Sequence, residues 1–287
     1  MGTKNLHLDS AKSERIIAQL RQKKYAVSIA DQWILSLLGG ALPGWVYLGT
    51  PPFHRFDFLY RLTARESHYH IVTLIPGETT VVFLEQLARK LDRNATRLHD
   101  QFRRQSLWPE AAILADTYHI PMHLSERGIL HLLLSQTLAR YKQLSLTHLK
   151  RWDPKGWQHA LTVASIIQKE AANVQEMPQI ASVIYNRLRK KMRLQMDGTL
   201  NYGSFSHTPV TPERIRTDPT TFNTYRHRGL PKSPVCNVSV AAIKAALKPA
   251  KTPYLYFMKN AHGTHDFSAT YRAHLHNVHE RKNSTKE

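Results

Sequence analysis

The stretch "LTVASIIQKEAANVQEMPQIASVIYNRL", Leu161 to Leu188, decides how the chain around it is read. Val163, Ile166 and Ile167 recur at i, i+3 and i+4, which is one face of a helix. Pro178 stands near the start of a second periodic run, where the first turn tolerates proline. The spacing predicts two helices, about Trp157 to Val174 and Met177 to Lys191. Glu170 follows Ile166 by four residues and Ile167 by three, so it extends the apolar stripe. A carboxyl leaving water among apolar side chains has its charged form disfavoured, which suits a general acid near neutral pH. Periodicity alone equally accommodates a solvated residue at the stripe's edge.

Upstream, Ser13 followed by Glu14, Ile16, Ile17 and Leu20 reads as a capped amphipathic helix. "WILSLLGGALPGWVYLGT", Trp33 to Thr50, has no formal charge over eighteen residues, the lower edge of a membrane span. Gly39-Gly40 and Pro43-Gly44 break it, so a short helix, a turn and a strand "WVYL" are preferred. An offset of 25 residues places Pro51 on Pro76, Phe58 on Phe83, Leu59 on Leu84 and Leu62 on Leu87. That self-similarity suggests two strand-turn-helix units. From Asn94 to Lys150 the pattern is mostly helical; Ile129, Leu132, Leu133, Leu134, Leu138 and Tyr141 form a wide apolar face.

Downstream, "RLQMDGTLNYG" offers Gln195, Asp197, Asn201 and Tyr202, suited to hydrogen-bonding a sugar or amide, or simply a polar turn. Asp197 is the candidate second carboxylate of an ordinary glycosidase. The basic run "NRLRKKMR" from Asn186 is read as a solvated helix end or as a face for an anionic ligand. A helix "VAAIKAALK", a strand "YLYFM" and a His-rich end follow, and the whole reads as α+β. His262, His265, His274, His276 and His279 lack the convergent spacing of a zinc site, so no metal is expected. No Walker loop, GxGxxG fingerprint or GxSxG elbow occurs, which argues against nucleotide-dependent and Ser-hydrolase chemistry.

The 287 residues can bury a sizeable core. Lys and Arg outnumber Asp and Glu by 40 to 21, a formal net charge of +19 that attracts polyanions such as nucleic acid, anionic lipid or an acidic wall polymer. The single cysteine, Cys236, excludes an intrachain disulfide. The first residues have no apolar core and are not read as a signal peptide.

"ASIIQKE" (164–170), "ASVIYNRLRKKMRLQMD" (181–197), "FNTYRHRGLPKSP" (222–234), "AALKPAKTPYLYF" (245–257) and "HDFS" (265–268) stand in the order seen in a known family. With these blocks the chain resembles the endolytic murein transglycosylases, the MltG or YceG-like family. Upstream "IPGETT" and "ADTYHIP" sit where that family has "PEG" and "PDTY" motifs. The resemblance implies a small LysM-like region over residues 1–93 and a mostly helical, mixed catalytic domain over 94–287. It draws Trp33 to Thr50 into the soluble region. Family members usually carry one N-terminal membrane helix and act in the bacterial envelope, at the periplasmic face of the inner membrane. No such helix is read here, so a truncated chain or a divergent member is expected.

The implied activity is that of a lyase. It cleaves the MurNAc-GlcNAc β-1,4 bond within peptidoglycan strands without water, leaves 1,6-anhydro-MurNAc ends and terminates polymerisation. Glu170 would serve as acid and then base, no cofactor is expected, and glycan strands and peptidoglycan synthases are the implied partners. Gln195, Asp197, Tyr202, Asn223, Tyr225, His265 and Ser268 are the sugar-binding candidates. The family's "EKE" is here Gln168-Lys169-Glu170, and its "QTDPT" is Gln195-Met196-Asp197-Gly198-Thr199, without the proline. Two other readings stand beside this one: a two-carboxylate muramidase using Glu170 and Asp197, and a basic nucleic-acid binder, for which no recognisable motif speaks.

Overall fold

Two short strands, β1 (Asn5–Leu8) and β2 (Gly44–Tyr47), pair antiparallel near the start of the chain, with Leu6 opposite Val46. Between them run α1 (Ser13–Gln22) and α2 (Ile29–Leu37), and α3 (Arg55–Thr63) follows β2. This computed structural model describes residues 5–48, 54–63, 69–122 and 124–284. The chain packs as two units, the first comprising residues up to Ile71 together with His119–Ser125.

The first unit closes around Leu6, Leu8, Ile16, Ile17, Leu20, Leu35, Phe58, Leu59 and Leu62, all buried. Ser13 is the first helical residue of α1 and not its cap; that place falls to Lys12, and no side chain caps the helix. Asp31 caps the start of α2 by accepting from the Ser28 backbone N–H at 2.5 Å. It also receives Arg55 in two bonds, Nε at 2.7 Å and Nη2 at 2.6 Å, tying α3 to α2. Those bonds hold its carboxyl down at about 2. The uncharged stretch from Trp33 forms a helix, a glycine turn with Gly39 and Gly40 at positive φ, and a strand, as read. Among the described residues no helix is long and apolar enough to cross a membrane.

β3 (Tyr69–Thr73) and β4 (Thr117–Pro121) pair as a two-stranded sheet, the strands in which the chain passes from one unit to the other and back. The second unit contains α4 (Thr80–Leu91), α5 (Ala95–Gln105), α6 (Glu126–Leu149), α7 (Pro154–Glu170) and α8 (Met177–Arg189). α9 (Pro212–Thr217), α10 (Val240–Leu247), an antiparallel hairpin β5 (Tyr256–Lys259) and β6 (His265–Ser268), and α11 (Tyr271–Ser284) complete it. The 25-residue repeat yields β2 with α3 and then β3 with α4, and Phe58, Leu59, Leu62, Phe83, Leu84 and Leu87 are all buried. The first copy's turn at Pro51 lies outside the described residues. The packing boundary at Ile71 does not coincide with residue 93, because α4 packs with α5 in the second unit.

α7 is the centre of that unit, with Trp157, Leu161, Val163, Ala164, Ile166 and Ile167 all shielded from solvent. A helix apolar on every side must be enclosed by neighbours, here α8 and α10. Its buried hydroxyls are satisfied internally: Ser165 Oγ donates to Thr162 O at 2.8 Å and accepts from Val235 N at 3.0 Å. α7 ends at Glu170, four residues before the expected Val174, since Ala171 is extended. Asn173 then caps a 3-10 turn over Val174–Glu176. On α6 the fully buried line is Ile129, Leu130, Leu133, Thr137, Tyr141 and Leu144, with Leu132, Leu134 and Leu138 only half-buried. Thr137 belongs to this line because its hydroxyl accepts from Leu114 N at 3.0 Å.

Candidate active site

Glu170 is the last residue of α7, and a 3-10 turn over Asp197–Leu200 packs against that helix end. Gly198 makes the approach possible: a Cβ there would lie 2.4 Å from Lys169 Cβ and 2.9 Å from Glu170 Oε1. Its backbone N–H donates to Glu170 Oε1 at 2.8 Å. Leu194, Met196 and Leu200 are buried and pin the turn from below. A second loop buttresses it, with Thr224 O accepting from Gln195 N at 3.2 Å and Thr224 Oγ1 from Met196 N at 3.1 Å.

Glu170 is half-buried, and loss of solvent raises its pKa to about 7. The Gly198 N–H works against that rise, the charge of Asp197 adds to it, and the Arg187 guanidinium opposes it. Asp197 is exposed and accepts from the Tyr225 hydroxyl at 2.7 Å. Burial, followed by that bond to Asp197, pushes the Tyr225 phenol up, so it stays a neutral donor. Arg187 corrects the reading of "NRLRKKMR" as a solvated end: it is buried, and its Nε donates to Leu255 O at 2.6 Å. A further bond runs from its Nη1 to Leu194 O, and its guanidinium lies 5.4 Å from the Tyr256 ring centroid. The exposed part of the basic run is Arg189, Lys190, Lys191 and Arg193.

Glu170, Asp197 and Tyr225 are thus brought together, and Gln195 stands exposed on the segment of chain leading into Asp197. Tyr202 stands a few residues beyond, stacked on Phe222 with centroids 4.2 Å apart and donating to Asp218 Oδ2 at 3.0 Å. Asn223 is wholly buried, its amide nitrogen donating to Ile215 O at 2.8 Å and Asp218 O at 2.9 Å. His265 pairs with Glu176, Nδ1 to Oε2 at 2.9 Å, and Ser268 is buried and accepts from Asn277 at 3.2 Å. Among the described residues no hydrogen bond or ion pair joins His265 or Ser268 to Glu170. Nor is any group of three or more His, Cys, Asp or Glu residues there placed to hold a metal ion.

A second polar cluster escaped the sequence reading. Glu78 is buried, accepting from Thr79 N at 2.8 Å and paired with His207 at 2.8 Å. Burial pushes its carboxyl up, but bonds from Ser206, His207 and Thr79 outweigh this and hold it below the usual range. Glu110 accepts from Thr80 N at 3.0 Å and Ala111 N at 3.2 Å, and burial raises it to about 7. Lys169, beside Glu170, reaches Ser206 Oγ at 3.4 Å. The cluster's signal in the sequence is "IPGETT", the block that sits where the resembled family has its "PEG" motif, which gives no hint of the partners His207 and Ser206.

A carboxyl whose pKa burial raises to about 7, beside a carboxylate, a phenol and a buried guanidinium, makes a site equipped for general acid–base chemistry. The sequence profile of the YceG-like family matches residues 9–280, and the chain belongs to that family. A Bacillus subtilis (strain 168) protein named endolytic murein transglycosylase is 30% identical over 213 residues, 74% of this chain and 58% of that protein. A Streptococcus pneumoniae (serotype 2, strain D39) protein of the same name is 32% identical over 43% of this chain and 24% of its own. The chain therefore spans little more than half the length of the first relative and about a quarter of the second. A crystal structure of a YceG-like protein from Listeria monocytogenes superposes with a TM-score of 0.61 at 23% identity, covering 96% of this chain and 99% of that one. It is a likeness of fold.

Proposed function

We propose that this protein is an endolytic lytic transglycosylase of the bacterial envelope, acting on peptidoglycan strands with Glu170 as its single acid and base. The observation that carries the reading is Glu170 itself: it terminates the central helix, rests on the Gly198 N–H, and is held near 7 by burial. The names of the B. subtilis and S. pneumoniae relatives support the substrate class.

In this mechanism the protonated Glu170 gives its proton to the glycosidic oxygen as positive charge develops at the MurNAc anomeric carbon. The resulting carboxylate then takes the proton from the C6 hydroxyl of the same sugar. That oxygen attacks the anomeric carbon, forming the 1,6-anhydro ring in place of a reducing end. Both steps favour a pKa near the working pH and a site that excludes water. Asp197 lies close enough for its charge to act on Glu170 and would stabilise the developing cation. Gln195 and the Asp197–Tyr225 pair are the proposed sugar contacts, and Asn223 acts as a staple beneath them. The exposed cations at the end of α8 suit a glycan bearing acidic stem peptides.

The influence of Asp197 on Glu170 also favours a second reading, a two-carboxylate muramidase. Mass spectrometry of glycan digested by wild type and by Glu170→Gln separates the two. Anhydro-terminated fragments from wild type alone support the transglycosylase, and reducing ends support the muramidase. Anhydro products released equally by the variant would remove Glu170 from its role.

A further inference from the structure

The outer face of α2 is inverted relative to a helix built only for water. Ile29, Ala30, Trp33, Ser36 and Leu37 face outward without a charge among them, whereas Asp31, the helix's one carboxylate, is fully buried on Arg55. Ile29, Trp33 and Leu37 stand at i, i+4 and i+8 and are 65%, 75% and 88% exposed. Leu42, just beyond the helix, is 63% exposed. On α3, which packs against α2, Phe56 and Tyr60 repeat the pattern at i and i+4 with 60% and 56% exposed. Exposed apolar side chains concentrated in this way mark a binding surface.

Its chemistry selects the partner. Tryptophan and tyrosine among aliphatic residues, with cations at the border, compose an interfacial membrane contact. Arg21, Lys23 and Lys24 are exposed immediately ahead of α2, and the whole chain carries a formal charge of +19. We propose that this face of the first unit docks on an anionic lipid bilayer. α2 lies in the interface plane, Ile29, Trp33 and Leu37 enter the acyl boundary, and the basic residues meet the head groups. Of the uncharged stretch that begins at Trp33, Trp33, Leu37 and Leu42 are exposed and available to such a surface, whereas Leu35, Ala41 and Leu48 belong to the core. Nothing in this proposal depends on Glu170 or on the reaction proposed there.

The test is co-sedimentation of the full chain with phosphatidylglycerol/phosphatidylcholine vesicles and with pure phosphatidylcholine vesicles, at low and high salt, together with tryptophan emission. Wild type binds the phosphatidylglycerol vesicles with a blue shift. Trp33→Ser and Leu37→Ser each weaken binding on the order of tenfold or more, with unchanged circular dichroism because both side chains are exposed. Trp33→Phe keeps the binding and loses the shift. Lys23→Glu with Lys24→Glu weakens binding to the anionic vesicles. The proposal is overturned if wild type does not bind, or if the serine variants bind as tightly as wild type, which would leave only nonspecific attraction of a basic chain. Trp33-dependent self-association in ultracentrifugation, without lipid binding, would assign the face to a second copy.

Discussion

Glu170→Gln is expected to make the folded protein more stable, by an amount that grows as the pH rises above 4.5. Burial shifts the Glu170 carboxyl from 4.5 to about 7, so ionising it costs about 3 kcal/mol more in the folded chain than in the unfolded one. Below pH 4.5 the carboxyl is protonated in both states, and this difference does not act. Between 4.5 and about 7 the unfolded chain ionises while the folded chain keeps its proton, so wild type loses stability. Above that window the loss is complete. Glutamine has no proton to lose, and its side-chain oxygen can still accept from the Gly198 N–H, so no buried donor is orphaned. Urea unfolding of both proteins at pH 4, 6 and 8 measures the difference directly. The expected gain of the variant is near zero at the lowest pH and rises to about 3 kcal/mol at the highest. A difference that stays flat with pH would refute the placement of Glu170 in a desolvated site.

Three further outcomes follow from the same geometry. Gly198→Ala forces the turn away from Lys169, and a displacement of about 1 Å should lower glycan cleavage about 100-fold while costing about 1–3 kcal/mol in stability; turnover and thermal melting check both. Arg187→Met removes a charge that lowers the Glu170 pKa and leaves the Leu194 and Leu255 carbonyls without their donor. The alkaline limb of the pH–rate profile should move upward, with about 1–3 kcal/mol lost per stranded carbonyl in urea unfolding. Asn223→Ala should destabilise by about 1–3 kcal/mol with unchanged KM, because its amide is spent on Ile215 and Asp218; a raised KM at unchanged stability would restore it as a sugar ligand.

What could be read in advance depended on how local its cause is. The apolar stripe of α7 and the apolar sets of α3 and α4 express 3.6-residue periodicity, a property of the segment itself, and all three are buried as read. The fate of Glu170 is not local: it depends on Gly198, twenty-eight residues further on, meeting the helix end. Arg187 looked like any member of a basic run, because nothing in "NRLRKKMR" reveals that the Leu194 and Leu255 carbonyls converge on one guanidinium. Thr137 and Ser145 were passed over on α6 for a similar reason. A buried hydroxyl is recognised only by its partner, here the Leu114 N–H and the Arg151 carbonyl. The division at Ile71 escaped too, since two similar strand-turn-helix units give no hint that their helices pack in different units.

The end of α7 shows how this chain differs from the pattern it resembles. Successive helical residues point about 100° apart, so Gln168, Lys169 and Glu170 meet three different surroundings. Gln168 Oε1 accepts from Ser239 N at 3.2 Å and Ser239 Oγ at 2.7 Å, which seats it at the start of α10. Being neutral, it brings no charge to bear on Glu170, although the family pattern has a glutamate in its place. Besides burial, the influences on the carboxyl are Gly198, Asp197 and Arg187. That pattern also has proline where Gly198 stands, and proline has no N–H to give. Glycine at this position adds a donor to the carboxylate at 2.8 Å, and a hydrogen bond to the charged form tempers the rise that burial imposes. In the proposed reaction the Gly198 N–H makes the ionised Glu170 easier to form, and with it the base that the second half of the reaction needs.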